Sequence, residues 1–207
     1  MRVHWTHFAK VLFPSLVCEG PAPFLYLTFD DGPHPKATPP LLAVLRKAMV
    51  KATFFLLGER VALYPDIVRQ IVEEGHVLGN HGYTHRSLMF RKSVEQEEEI
   101  ARTDDAIKAI LGDSPKLFRP PFGFFDMRTV SLVEKQQKRF VLWSNDPKDY
   151  LEQKRATLFE RTRRSLTTRA IILLHDNEAT LEYLPHTVQR LIHYSQDHDF
   201  QFSSLSL

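Results

Sequence analysis

Acidic, imidazole and guanidinium side chains recur in this sequence at the ends of short apolar runs. Asp30 and Asp31 follow 25–29, His81 and His85 follow 76–79, Arg119 closes 116–119, Asp146 and Asp149 follow 140–144, and His175 follows 171–174. If these runs are parallel strands, the reactive groups collect at one rim, the carboxyl ends of the strands, where β/α barrels build active sites. Decoration of a surface would scatter them among helices and both rims.

The chemistry open to these groups depends on how they pair. Asp30-Asp31-Gly32-Pro33 is by itself a good turn sequence. Two adjacent carboxylates after a buried strand also place like charges side by side, which is costly unless a cation or an arginine compensates. His81 and His85 are four residues apart, so on a helical turn both rings project from one face and reach one ion, although surface or capping pairs share that spacing. An aspartate from another rim loop would complete a two-His, one-carboxylate set that suits zinc and leaves positions open for water and substrate. His175 reads either as a histidine satisfied by a backbone carbonyl or, paired with Asp149 or Asp146, as a protonated general acid.

The elements that must position these groups alternate. Strands are predicted at 25–29, 52–57, 76–79, 116–119, 140–144, 171–174 and 200–205, with amphipathic segments between, the pattern of a parallel sheet or barrel covered by helices. Leu41, Leu42, Leu45, Ala48 and Met49 recur at helical spacing, as do Ile67, Val68, Ile71 and Val72, so both segments predict core-facing helices. Ser93 with Gln96 reads as a capping box opening a helix that runs to about Leu111 and stops at Gly112. The acidic run 95–99 then complements the helix dipole, a structural role. His76, His34, His186, His193 and His198 read as structural or surface residues, and the Phe-rich stretch 118–125 as packing whose exposed rings could contact a sugar.

Bulk properties narrow the class. The 207 residues suit one domain, and 43% hydrophobic with 25% charged residues is the mix of a globular protein. The formal charge of +2 and the basic run 161–164, read as a solvated helix face, give no reason to expect a nucleic-acid partner. Cys18 is the single cysteine, so any metal must use histidines and carboxylates. Residues 1–20 lack the continuous apolar stretch of a secretory signal, and no run reaches the ~20 apolar residues of a membrane span. A cytoplasmic protein with no integral membrane segment and no obligate protein partner is the default expectation.

Thr28-Phe29-Asp30-Asp31-Gly32-Pro33, Gly79-Asn80-His81-Gly82-Tyr83-Thr84-His85, Arg119-Pro120-Pro121-Phe122-Gly123, the stretch from Trp143 to Tyr150, and Leu173-Leu174-His175 resemble, in order, the five motifs of the NodB-like polysaccharide deacetylases. The resemblance runs from about Leu25 to the C-terminus. It implies a single domain over 1–207, with 1–24 an N-terminal extension, folded as a distorted, incomplete β/α barrel of about seven parallel strands. It also implies Asp31, His81 and His85 as ligands of Zn2+, Co2+ or another divalent transition metal. Asp30 would be the catalytic base oriented by Arg119, and His175 the general acid paired with Asp149. Phe122, Tyr150 and Leu173 would meet the substrate, Phe122 through its backbone N–H. The implied partner is an acetylated carbohydrate, and the implied activity removes N-acetyl groups from an amino-sugar glycan such as a chitooligosaccharide or peptidoglycan. Alternatives are an O-acetyl esterase or deacylase of a small intracellular substrate, and a catalytically weak carbohydrate-binding protein. Two positions depart from the family pattern: Gly82 stands where a Ser or Thr hydroxyl braces the metal loop, and Tyr150 where Trp is usual.

Overall fold

A computed structural model describes residues 16–206. Its strands are β1 (Leu16–Val17), β2 (Tyr26–Asp30), β3 (Thr53–Leu56), β4 (Val77–Asn80), β5 (Leu117–Phe118), β6 (Arg139–Val141) and β7 (Ile171–His175). All pair in parallel, in the order β1-β6-β5-β4-β3-β2-β7. The connecting helices are α1 (Thr38–Ala48), α2 (Gly58–Leu63), α3 (Pro65–Glu73), α4 (Ser93–Leu111), α5 (Met127–Lys135), α6 (Leu158–Arg164) and α7 (Leu184–Gln196). No helix among the described residues is long and apolar enough to cross a membrane.

Strand alternation divides the apolar residues between two faces. Leu27, Phe29, Phe54, Leu56, Leu78, Ile172 and Leu174 face the helices and pack with Leu41, Leu42 and Leu45 of α1, Val61 of α2, Val68 and Ile71 of α3, and Val188 of α7. Tyr26, Phe55, Leu117, Val141 and Ile171 face away from the helices and cluster together with Leu205 inside the curl of the sheet. The two sheet edges approach each other. Just beyond β6, Asn145 bridges to Ile172 of β7, and just beyond β1, Glu19 bridges to Ala170. The sheet is therefore an open, curled half-barrel, and its inner face carries Thr28, Asp30 and the guanidinium of Arg119 among the apolar residues.

Six of the predicted strands form, with ends shifted by a few residues. The predicted strand 200–205 does not: it makes one bridge, Leu25 to Phe202, and then the Leu205 N–H turns to the Thr53 hydroxyl (2.9 Å) instead of a strand carbonyl. The seventh strand is Leu16–Val17, held by pairing with Phe140 and Val141. Residues 16–24, expected in an N-terminal extension, thus contribute an edge strand to the fold. The expectation of no secretory signal over 1–20 falls largely on 1–15, outside the described residues. Met49, expected on the core face of α1, is its left-handed C-cap and lies exposed. Val72 is likewise exposed. Ser93 is the first helical residue of α4 and not its cap: Glu95 reaches back to the Lys92 N–H (3.0 Å), while the Gln96 amide turns inward to the carbonyls of Leu88 and Arg91.

One close approach links the core to the rim. Gly79 of β4 lies so near Phe55 that a Cβ there would fall 2.3 Å from the ring, and the same ring lies 4.0 Å under the Arg119 guanidinium. Gly79→Ala should destabilise the protein by about 1–3 kcal/mol through overpacking. Urea unfolding measures this, and a midpoint equal to that of the unaltered protein would show that the Phe55 ring yields freely.

Candidate active site

The strand register assembles the rim. Asp30 is the Cα partner of His175, and Asn80, just before His81, is the partner of Phe118, just before Arg119. Residues distant in sequence thus line a single cleft of about 490 Å³. Its walls include Asp30, Asp31, His81, His85, Phe122, Tyr150, Leu173 and His175. Every residue predicted to act at the site is there except Arg119 and Asp149, which are buried behind it.

Arg119 lies wholly inside the curl. Its guanidinium donates to Asp30 Oδ1 (2.7 Å), Thr28 Oγ1 (2.8 Å), and the carbonyls of Leu142 (2.9 Å) and Val141 (3.4 Å). A buried charge is tolerated when its partners satisfy it this fully. Asp30 is fixed at Oδ1, and its other oxygen faces His81 Nε2 at 3.7 Å.

Asp31 is turned away from Asp30 by a left-handed backbone, φ 77°. Its Oδ1 lies 3.2 Å from His85 Nε2 and 3.6 Å from His81 Nε2, while its Oδ2 accepts from the Asn177 amide (2.8 Å). Burial alone would raise this carboxyl. His175, His81, His85 and the Asn177 hydrogen bond outweigh burial and hold it below the usual carboxylate range. His81 is also buried, and burial pushes its pKa down against the pull of Asp30 and Asp31, so the ring tends to neutrality. Its Nδ1 lies 2.8 Å from the Arg119 carbonyl, which can only accept, so that nitrogen carries the proton and Nε2 offers a lone pair.

This arrangement fits a cation. Asp31, His81 and His85 offer ligand atoms within 4.8 Å of one another, and Asp31 Oδ1 is buried with no hydrogen-bond donor. Acceptor atoms that converge without a proton between them suit a positive ion. The backbone around the set is strained: besides Asp31, His85 (φ 58°), Phe122 (φ 60°) and Lys148 (φ 59°) are left-handed, and such residues concentrate at functional sites.

On the other side of the cleft, His175 Nδ1 is 2.7 Å from Asp149 Oδ1, and the His175 N–H donates to Asp149 Oδ2 (2.7 Å). Asp149 is thus the partner of His175. Asp146, the alternative left open by the sequence, instead binds Lys148, at 3.2 Å to its ammonium. Burial opposes the charged imidazole, but Asp149, with help from Asp31 and Asp30, raises its pKa to about 10. His175 is therefore protonated at neutral pH. Tyr150 meets it edge-on at 5.6 Å and accepts from Lys148, while the exposed Phe122 ring lies tilted against His85 at 4.4 Å.

Three contributors have no site role predicted from the sequence. Asn177, two residues past His175, holds Asp31. Trp143 lines the cleft and packs on Gly123, where a Cβ would meet it at 2.6 Å. Glu99, assigned to the helix dipole, turns to the His81–His85 loop. Asn177 had the same positional signal as the other rim residues. Glu99 had a helical one, since it lies three residues from buried Gln96 and four from buried Thr103.

The polysaccharide deacetylase family model matches residues 19–141. A peptidoglycan-N-acetylglucosamine deacetylase of Bacillus cereus is 38% identical over 151 residues, 72% of this chain and 55% of that relative. A chitooligosaccharide deacetylase of Azorhizobium caulinodans is 37% identical over 153 residues, 73% of each chain. The crystal structure of a peptidoglycan N-acetylglucosamine deacetylase in complex with a naphthalenyl N-oxidanyl-benzamide superimposes with a TM-score of 0.90 at 31% identity, over 96% of this chain and 94% of that one. The chain thus spans little more than half of the Bacillus cereus relative and nearly all of the solved one.

The His175–Asp149 pair has a pH signature. Because the folded pKa stands above the ordinary imidazole value of 6.5, its contribution to stability is complete below that value and is lost as pH rises through about 10. Asp149→Asn should lower the His175 pKa by more than about one unit. An NMR titration of the imidazole in metal-stripped protein reads the change, and an unmoved midpoint would remove Asp149 from its role.

Proposed function

Because this chain belongs to the polysaccharide deacetylase family, we propose that it is a metal-dependent hydrolase that removes N-acetyl groups from an amino-sugar glycan and releases acetate. One observation carries the reading: a convergent Asp31, His81 and His85 set faces, across one cleft, a carboxylate pinned by arginine and a protonated histidine. The names of the relatives, which specify N-acetylglucosamine and chitooligosaccharide deacetylation, support the substrate class.

Asp31, His81 and His85 would hold zinc, cobalt or another divalent transition metal, which when bound supplies Lewis acidity toward an acyl carbonyl and toward water. The chain's own groups divide the proton transfers. Asp30, fixed by Arg119, takes the proton of the attacking water at its unpinned oxygen. The Phe122 backbone N–H donates to the acetyl oxygen as negative charge builds there. His175 gives its proton to the amide nitrogen, the C–N bond breaks, and a free amine and acetate leave. Asp149 holds the imidazole in place and charged for that step. Leu173 and Tyr150 bound the space beside His175 where the acetyl group and sugar would sit.

Metal-stripped protein assayed on N-acetylglucosamine oligomers and on O-acetyl esters, with and without zinc or cobalt, should release acetate from the amides only when metal is added. Acetate from esters alone would replace the proposal with an esterase, and no acetate despite tight metal binding would favour a carbohydrate-binding role. Asp30→Asn should keep its metal and lose on the order of 10²- to 10⁴-fold in rate. His81→Ala or His85→Ala should instead lose the metal itself, measured by elemental analysis after dialysis.

A further inference from the structure

We propose that Glu99 of α4 is the positioning residue that aims His85 at the metal, a role that rests on the metal-centre reading above. The loop from His81 to His85 must present two imidazoles to one point, and residue 82 has no hydroxyl with which to brace it. Gly82 adopts φ +79°, where a side chain would be strained, and this bend turns the following N–H groups toward α4. There Glu99 Oε2 accepts from Tyr83 N–H (2.9 Å) and Thr84 N–H (2.9 Å), and Oε1 accepts from Thr84 Oγ1 (2.7 Å). Other polar groups of the loop are engaged as well. Gly82 N–H donates to Asn80 Oδ1 (2.8 Å), and the carbonyls of Gly82 and Tyr83 accept from Gly58 and Glu59 at the start of α2. One turn along α4, the Arg102 guanidinium covers the Tyr83 ring at 3.8 Å.

The two histidines depend on this brace unequally. His81 is fixed independently, by its Nδ1 contact with the Arg119 carbonyl and by its N–H, which donates to Leu56. No protein group among the described residues hydrogen-bonds His85 Nδ1. Its ring is aimed by a left-handed backbone at His85 itself, by a tilted contact with the exposed Phe122 ring, and by the two residues before it, both tied to Glu99. Hydrogen bonds to a carboxylate are charge-assisted and stronger than neutral ones, so a single side chain suffices to hold this backbone. The carboxylate acts through the loop and is not itself a metal ligand.

The test compares metal binding by the full chain and its Glu99 variants. Zn2+ affinity is read by competition with a chromophoric chelator, and ligand geometry by the visible spectrum of the Co2+ form. Glu99→Ala should bind Zn2+ on the order of 10- to 100-fold more weakly, the usual cost of losing a group that orients a ligand, with an altered Co2+ spectrum and native circular dichroism. Glu99→Gln should fall between Ala and the unaltered protein, because its amide oxygen can accept both N–H groups and its NH₂ can donate to Thr84 Oγ1, though without the charge of the carboxylate. If the alanine variant does not fold, Glu99→Asp, one methylene short of the loop, replaces it and should weaken binding several-fold. A folded Ala or Asp variant with unchanged Zn2+ affinity and Co2+ spectrum overturns the proposal, as does a Gln variant as weak as Ala. If the unaltered protein binds no metal, the metal-centre reading falls and this role falls with it.

Discussion

The rest of the site depends on the buried ion pair between Arg119 and Asp30. A guanidinium enclosed by a protein costs several kcal/mol in lost hydration unless its donors are met. Here Asp30, Thr28 and the carbonyls of Val141 and Leu142 meet them, and Phe55 lies beneath. Satisfying this one side chain ties β2, β5 and the end of β6 together in a single register. That register fixes how far each strand carries its reactive residue past the rim. The small residue at Gly79, the ring of Phe55 and the inward side of β2 all serve the same pair.

Two adjacent carboxylates coexist because each faces a different set of partners. Asp30 is the last residue of β2, its side chain inside the curl against Arg119. The next residue turns left-handed, which sends Asp31 toward the histidines and the Asn177 amide. Strand alternation alone would have placed Asp31 on the helix-facing side, against the apolar cluster. The turn spares it that environment, at the cost of a conformation that aspartate tolerates better than most residues. Each half of the pair is thereby compensated, and the cleft between them and His175 stays open.

The sheet's incomplete closure gives that cleft its shape. Edges that meet only at isolated bridges near Asn145 and Glu19 let the loop after β6 rise over the rim, and it carries Trp143, Lys148, Asp149 and Tyr150 to the side facing His175. The 3-10 turn at Pro121–Gly123 forms the opposite wall and exposes the Phe122 ring beside His85.

The sequence alone determined which acidic, imidazole and guanidinium side chains would share a rim, because that follows from local pattern. An apolar run followed by Asp, His or Arg marks a strand and its carboxyl end. The core-facing positions of α1, Leu41, Leu42 and Leu45, were legible for the same reason. The convergence of His81 and His85, expected from a helical turn, comes instead from a non-helical loop with left-handed Gly82 and His85. Only the tertiary structure decided the pairings. Asp149 rather than Asp146 or a backbone carbonyl reaches His175 Nδ1, Asn177 holds Asp31, and Glu99 serves the histidine loop rather than the helix dipole. The same holds for the seventh strand. Two residues, Leu16 and Val17, carry almost no local strand signal and become a strand only because β6 presents an edge to them, while 200–205 has the signal and lacks a continuous partner. Hydrogen-bond partners and strand neighbours far apart in the chain are set by register and by the curl of the sheet, which depend on the packing of the whole chain and not on any one segment.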